Sequence, residues 1–215
     1  MLLSRLQALI GGIYDVSVAY DVYDFLVTDR NRLPQVAGPA EEQLIVAESA
    51  DGAEVGMSLY LDAALLGRLA RADPLEQLHA GNVGDWWTAL EGVSHFLYLA
   101  WNAGHDRPVS LLELEMQAEV DKYVASYWLL RQQHPRHIPA ELHRALFERT
   151  RVDPRLAHEQ RGLYDEASRY AQRFCRRLEH RFGVAGHRER EVLAELRRFY
   201  RLTNARKRAH IERTS

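Results

Sequence analysis

Glu91 and His95 stand four residues apart in the stretch EGVSHFLYLAW, Glu91 to Trp101, inside a run from Trp86 to Trp101 that holds no Lys, Arg or Asp. At about 100° per residue the two lie side by side on a helix, among Trp87, Gly92, Tyr98 and Leu99. A helix that is apolar nearly all round is a buried one, and a buried glutamate and histidine need partners because an unpaired interior charge is costly. The next helical stretch supplies them. Glu115, Glu119 and Lys122 recur at i, i+4 and i+7, with Ser126 next on the same face. Two glutamates one turn apart repel, more strongly inside a bundle, unless a cation, an arginine or a shared proton lies between them.

Carboxylates and a histidine on facing helices are the ingredients of a bundle metal site. Glu91, His95, Glu115 and Glu119 are therefore candidate ligands for one divalent transition metal. The Glu-x-x-x-His spacing differs from the Glu-x-x-His of dinuclear carboxylate bundles. No second Glu/His pair completes a dinuclear centre; His158 with Glu159, Glu166 and Glu195 are loose candidates from later helices. The same residues admit a structural reading. Glu91 with His95 makes an intrahelical hydrogen bond, Glu119 with Lys122 an i, i+3 ion pair, and Arg197, Arg198 or Arg201 neutralise the acidic face as a buried ionic network. Glu113 is kept out of the site, because Ser110 and Glu113 fit the S-x-x-E capping box.

Charge along the chain is uneven. The net charge is −2, yet residues 1–150 carry 11 Lys+Arg against 21 Asp+Glu, a net of −10, and residues 151–215 carry 17 against 9, a net of +8. Either the halves pack on each other, or the basic half meets an anionic partner. The last helical stretch interleaves Arg197, Arg198, Arg201, Arg206, Lys207 and Arg208 with Phe199 and Tyr200, which makes them candidate contacts to an acidic protein or a nucleic acid. An amphipathic helix that buries Leu193, Leu196, Phe199, Tyr200 and Leu202 explains the same pattern without a partner.

Other chemistry is sparse. Cys175 lies beside Arg173, Arg176 and Arg177, which favours a thiolate, but no His or Asn partner is fixed and a lone helical cysteine is ordinarily a small core residue. His134 and His137 belong to a proline-containing linker, and AHEQRG lacks the second histidine of the H-E-x-x-H zinc motif. The P-loop, dinucleotide, G-x-S-x-G and C-x-x-C signatures do not occur in the chain. These gaps put a binding or regulatory protein first, acting through its Arg-rich C-terminal helices. A metal-dependent or acid–base enzyme centred on the Glu/His/Glu cluster comes second.

The elements that must position these residues follow from periodicity. Residues 2–10 predict a short helix ended by Gly11-Gly12, and the alternation from Tyr14 to Val22 predicts a strand with one wet face. QLIVAES and EVGMSLYL flank an Asp51-Gly52 hairpin signal. From Asp62, a helix cap, the pattern turns helical; Asp85 is read as the cap of the Glu91 helix. Later helices are expected over about 109–133, 140–150, 154–182 and 189–212. The fold class is α+β: a small N-terminal antiparallel sheet in residues 1–61, then a C-terminal helical bundle in 62–215, as one compact unit. No apolar run reaches the roughly 20 residues of a membrane span. A single cysteine and the lack of an export signal predict a cytoplasmic protein with no membrane partner.

Overall fold

The computed structural model describes residues 1–34, 40–48, 55–135, 141–148, 158–182 and 189–213. The protein is α+β, with eight α-helices and one three-stranded sheet among the described residues. Helix α1 (Leu2–Tyr14) buries Leu3, Leu6, Ile10 and Ile13, at i, i+3, i+7 and i+10. It runs through Gly11-Gly12 and ends at Asp15, whose φ is 55°. The chain then doubles back so closely that a Cβ on Gly11 would sit 2.9 Å from the Val16 carbonyl oxygen.

The segment after α1 is not the strand that its alternation predicts. It crosses α1 without a ladder partner. Gln7 holds it there, donating to the Tyr20 carbonyl at 2.7 Å and accepting from the Val22 amide at 2.8 Å. Alternation reports one face wet and one face dry, and a side chain can satisfy an extended backbone as well as a neighbouring strand can.

The sheet is mixed rather than antiparallel. Strand β1 (Leu26–Val27) pairs parallel with β3 (Val55–Leu61), and β2 (Glu42–Glu48) pairs antiparallel with β3, in the order β1-β3-β2. The register sets Glu42 opposite Leu61 and Leu44 opposite the fully buried Leu59. The Asp51-Gly52 hairpin signal falls outside the described residues, as does His137.

Asp62 caps α2 (Ala63–Arg71), its carboxylate accepting from the Ala64 amide at 2.8 Å. Helix α3 (Val83–Ala103) begins earlier than an Asp85 cap would place it. Asp85 instead lies in the first turn and takes a bidentate ion pair from Arg68, which also reaches Glu41 at 3.0 Å. Helix α4 (Leu111–Gln133) starts at Ser110, whose hydroxyl accepts from the Glu113 amide at 3.3 Å. The box is not closed, because the Glu113 carboxylate turns inward to Tyr98.

Helices α5 (Leu142–Phe147) and α6 (His158–Phe182) follow. The single long C-terminal helix of the sequence reading is two: α7 (Glu189–Tyr200) and α8 (Asn204–Glu212). Glu113 accepts from the Asn204 amide at 3.1 Å, and Ser110 accepts from the Asn204 side chain at 2.9 Å. A carboxylate at the first free amide of a helix favours a start there, so the chain breaks after Tyr200 and restarts on α4. The core joins α1, β3, α3, α4, α6 and α7 through residues such as Leu6, Leu61, Leu90, Val120, Phe174 and Phe199. No helix among the described residues is long and apolar enough to cross a membrane.

Candidate metal centre

Helix α4 is buried on opposite sides, and each side carries polar groups. Glu115, Glu119, Lys122 and Ser126 form one stripe; Glu113, Gln117 and Asp121 form the other. The first stripe faces Glu91 and His95 of α3. His95 Nε2 lies 3.5 Å from Glu115 Oε2, and Lys122 Nζ lies 2.9 Å from Glu91 Oε2 and 2.5 Å from Glu119 Oε1. All four acidic and imidazole residues singled out from spacing are thus in one place. Ser126 instead receives both indole N–H groups, from Trp86 at 2.8 Å and Trp87 at 3.1 Å. The counter-cation of the acidic face is Lys122, not an arginine from the C-terminal helices.

The sheet adds a residue that spacing missed. Glu42, the first residue of β2, brings Oε1 to 3.6 Å from His95 Nδ1. Its approach depends on Gly92. A Cβ there would fall 2.8 Å from Leu59 Cδ1 and 3.0 Å from Glu42 Cγ. A glycine inside a helix is the sequence signal for such a close approach, and it lies between the glutamate and histidine of the opening motif. Tyr164 of α6, half-buried, is a second addition. Burial and the Glu115, Glu91 and Glu42 carboxylates push its phenol up.

His95 is flanked by carboxylates on both ring nitrogens but bonded well to neither. Separations of 3.5 and 3.6 Å exceed normal hydrogen bonds. His95 Nε2 and Glu42 Oε1 are buried without a hydrogen-bond partner, and His95 is only 4% exposed. Among the described residues, Glu91, His95 and Glu115 each offer a ligand atom, and these atoms lie within 4.8 Å of one another. Ligand atoms about 2.1 Å from a shared ion are at most about 4.2 Å apart, so a small contraction suffices.

Burial and neighbouring charges shift the titratable groups of the cluster. Burial alone would push the His95 pKa down, but the Glu115 and Glu42 carboxylates hold it well above the ordinary histidine value. Burial pushes Glu42 and Glu119 up. Glu91 resists burial and stays below its usual range, because Lys122 and His95 stand beside it. Burial would likewise lower Lys122, yet Glu91 and Glu119 hold it well above the usual lysine value. Four carboxylates therefore share one lysine and one imidazole. The cluster opens at one end: side-chain exposure rises from 5% at His95 and 8% at Glu115 to 20% at Glu119 and 27% at Glu91.

The other face of α4 holds a buried hydrogen-bond network. Asp121 accepts from the Tyr14 hydroxyl, the Ser94 hydroxyl and the Gln117 amide at 2.5, 2.5 and 2.7 Å. Burial pushes its carboxyl up to about 6 against those three donors. Lys207 of α8 donates to Gln117 Oε1 at 2.5 Å and lies over the Tyr98 and Phe199 rings, 4.5 and 4.9 Å from their centroids.

Sequence places Lys207 with the Arg-rich surface, but it is fully buried and belongs to this network. Arg197, half-buried, and Arg201, exposed, bond backbone carbonyls at the end of α1. Arg197 donates to the Ile13 carbonyl at 3.3 Å, and Arg201 to those of Tyr14 and Asp15 at 3.0 and 2.9 Å. Arg198, Arg206 and Arg208 are exposed, Arg208 bonding the Tyr170 hydroxyl at 3.0 Å.

Glu195, Glu166 and Glu159 go elsewhere, and the side chain of His158 falls outside the described residues. Glu195 pairs with Arg177 at 3.0 Å and His210 at 2.6 Å, and Glu166 lies 3.8 Å from Arg208. Glu159 is exposed at the start of α6. His134 is exposed beyond the end of α4. Cys175 is fully buried, and burial pushes its thiol well up, which leaves it an inert core residue. No protein-family model, no curated protein and no solved structure matches the chain.

Proposed function

We propose that this protein is a metal-dependent enzyme whose centre holds one divalent transition metal on Glu91, His95 and Glu115. The observation that carries the reading is the buried, unpartnered His95 Nε2 beside two carboxylate ligands within 4.8 Å. Imidazole with carboxylates suits Fe2+ or Mn2+, and three protein ligands leave coordination positions for a substrate at the end where the half-buried Glu91 lies. Bound there, the ion would supply Lewis-acid chemistry to an oxygen-bearing substrate. Glu42 would then accept from His95 Nδ1–H and set the imidazole tautomer, the outer support that metal-bound histidines ordinarily have.

Elemental analysis of the untagged protein tests this. The expected result is one equivalent of a transition metal, lost in His95→Ala with an unchanged circular dichroism spectrum. A chain that stays metal-free after reconstitution with Fe2+, Mn2+ and Zn2+ overturns it.

A second reading, contact with an acidic protein or nucleic acid, is favoured by the exposure of Arg198, Arg206 and Arg208. It fails if neutralising Arg206 and Arg208 leaves the salt dependence of nucleic-acid binding unchanged.

A further inference from the structure

The ammonium of Lys122 sits between two carboxylates that belong to the cluster. One of them, Glu91, is also a candidate ligand. Glu91 is therefore shared between the proposed ion and the lysine, as a carboxylate can be shared by two metals in a dinuclear centre. Glu119 completes the lysine side as Glu115 completes the other, one helical turn apart on α4. Lys122 is itself buried, and its ammonium is a compact point charge with only these two carboxylates as ion-pair partners among the described residues. The independent sign that this cluster takes a cation is the unpartnered His95 Nε2, which is aimed at Glu115 from a side chain 5% exposed.

We infer that Lys122 is a tethered cation standing in a second metal position, so that the centre is built on a two-cation plan but takes only one divalent metal ion. The inference rests on the metal reading above. A tethered ammonium carries one charge where a second divalent ion would carry two. It neither dissociates nor changes oxidation state. Removing it leaves Glu119 with no ion-pair partner among the described residues and Glu91 with the first ion alone, and a second hard divalent ion restores the balance.

The test compares wild type with Lys122→Met, each loaded with excess Mn2+ and desalted. Metal content is read by elemental analysis and native mass spectrometry, and metal–metal coupling by electron paramagnetic resonance. Wild type is expected to hold one Mn2+ with an uncoupled six-line signal. Lys122→Met should hold two, with an exchange-coupled signal, and Lys122→Met combined with Glu119→Gln should return to one. One Mn2+ in both wild type and Lys122→Met overturns this inference and leaves the metal reading standing. Two in wild type also overturns it. No Mn2+, Fe2+ or Zn2+ in wild type overturns the metal reading itself. If Lys122→Met does not fold, Lys122→Gln takes its place: two coupled Mn2+ ions support the inference and one overturns it.

Discussion

Gly92 lies on α3 between the glutamate and the histidine of the candidate centre, and its missing side chain is what admits the sheet. In Gly92→Ala the new Cβ meets Leu59 Cδ1 at 2.8 Å and Glu42 Cγ at 3.0 Å. Alanine would gain about 1 kcal/mol of helix propensity. Leu59 is fully buried, however, and cannot retreat without disturbing the core. Overpacking of that kind costs about 1–3 kcal/mol. Gly92→Ala is expected to lower the urea midpoint and to weaken metal binding by about 10-fold or more as Glu42 leaves His95; isothermal titration checks the second effect. Glu91, His95, Glu115 and Glu119 were legible because helical spacing alone gathers residues of one helix onto one face. Glu42 was not, since its place depends on the register of β2 against β3 and on how closely the sheet rests on α3. The glycine was a visible signal for that closeness, but it named no partner.

At the scale of elements, the two polar stripes of α4 do different work. One faces the candidate centre, and the other docks α8 through Glu113 and Gln117. In Glu113→Ala the Tyr98 hydroxyl and the first amide of α8 both lose an acceptor. The expected cost is about 2 kcal/mol, and amide exchange is expected to quicken in α8 while α6 keeps its protection. Hydrogen-exchange mass spectrometry resolves the two. Periodicity found the extent of α4 and its Ser110 start. The α7–α8 break was hidden, because nothing within RLTN forces a stop; the stop comes from a carboxylate 91 positions earlier in the chain. The alternation from Tyr14 to Val22 misled for a related reason. It records which side of an extended chain is dry, not whether a strand or Gln7 holds the backbone.

For the whole molecule, the opposed charges of the two halves resolve partly inside the protein rather than at a surface. Burial pushes the Lys207 pKa down to about 7, against the attraction of Glu113 and Asp121. Its value in the folded state is thus depressed below the 10.5 of an unconstrained lysine. The stability it contributes is fully present above that unfolded value and is lost as pH falls toward and through about 7. From pH 9 to pH 7, wild type is expected to lose on the order of 2 kcal/mol relative to Lys207→Met, which carries no titrating group there. Chemical denaturation of both proteins across that window checks the difference. The charge asymmetry was plain in the sequence. What it could not indicate was that the basic half would spend Lys207, Arg197 and Arg201 on interior groups and backbone carbonyls.

Arg197 and Arg201 bond carbonyls at the end of α1 that lie 184 to 187 positions earlier in the chain. At about 5–20 residues per second of synthesis, that separation amounts to roughly 10–40 s on the ribosome. For that interval the last turn of the first helix waits for partners that do not yet exist. The contact that ties the first helix to α7 can therefore close only after the whole of the intervening chain has been made.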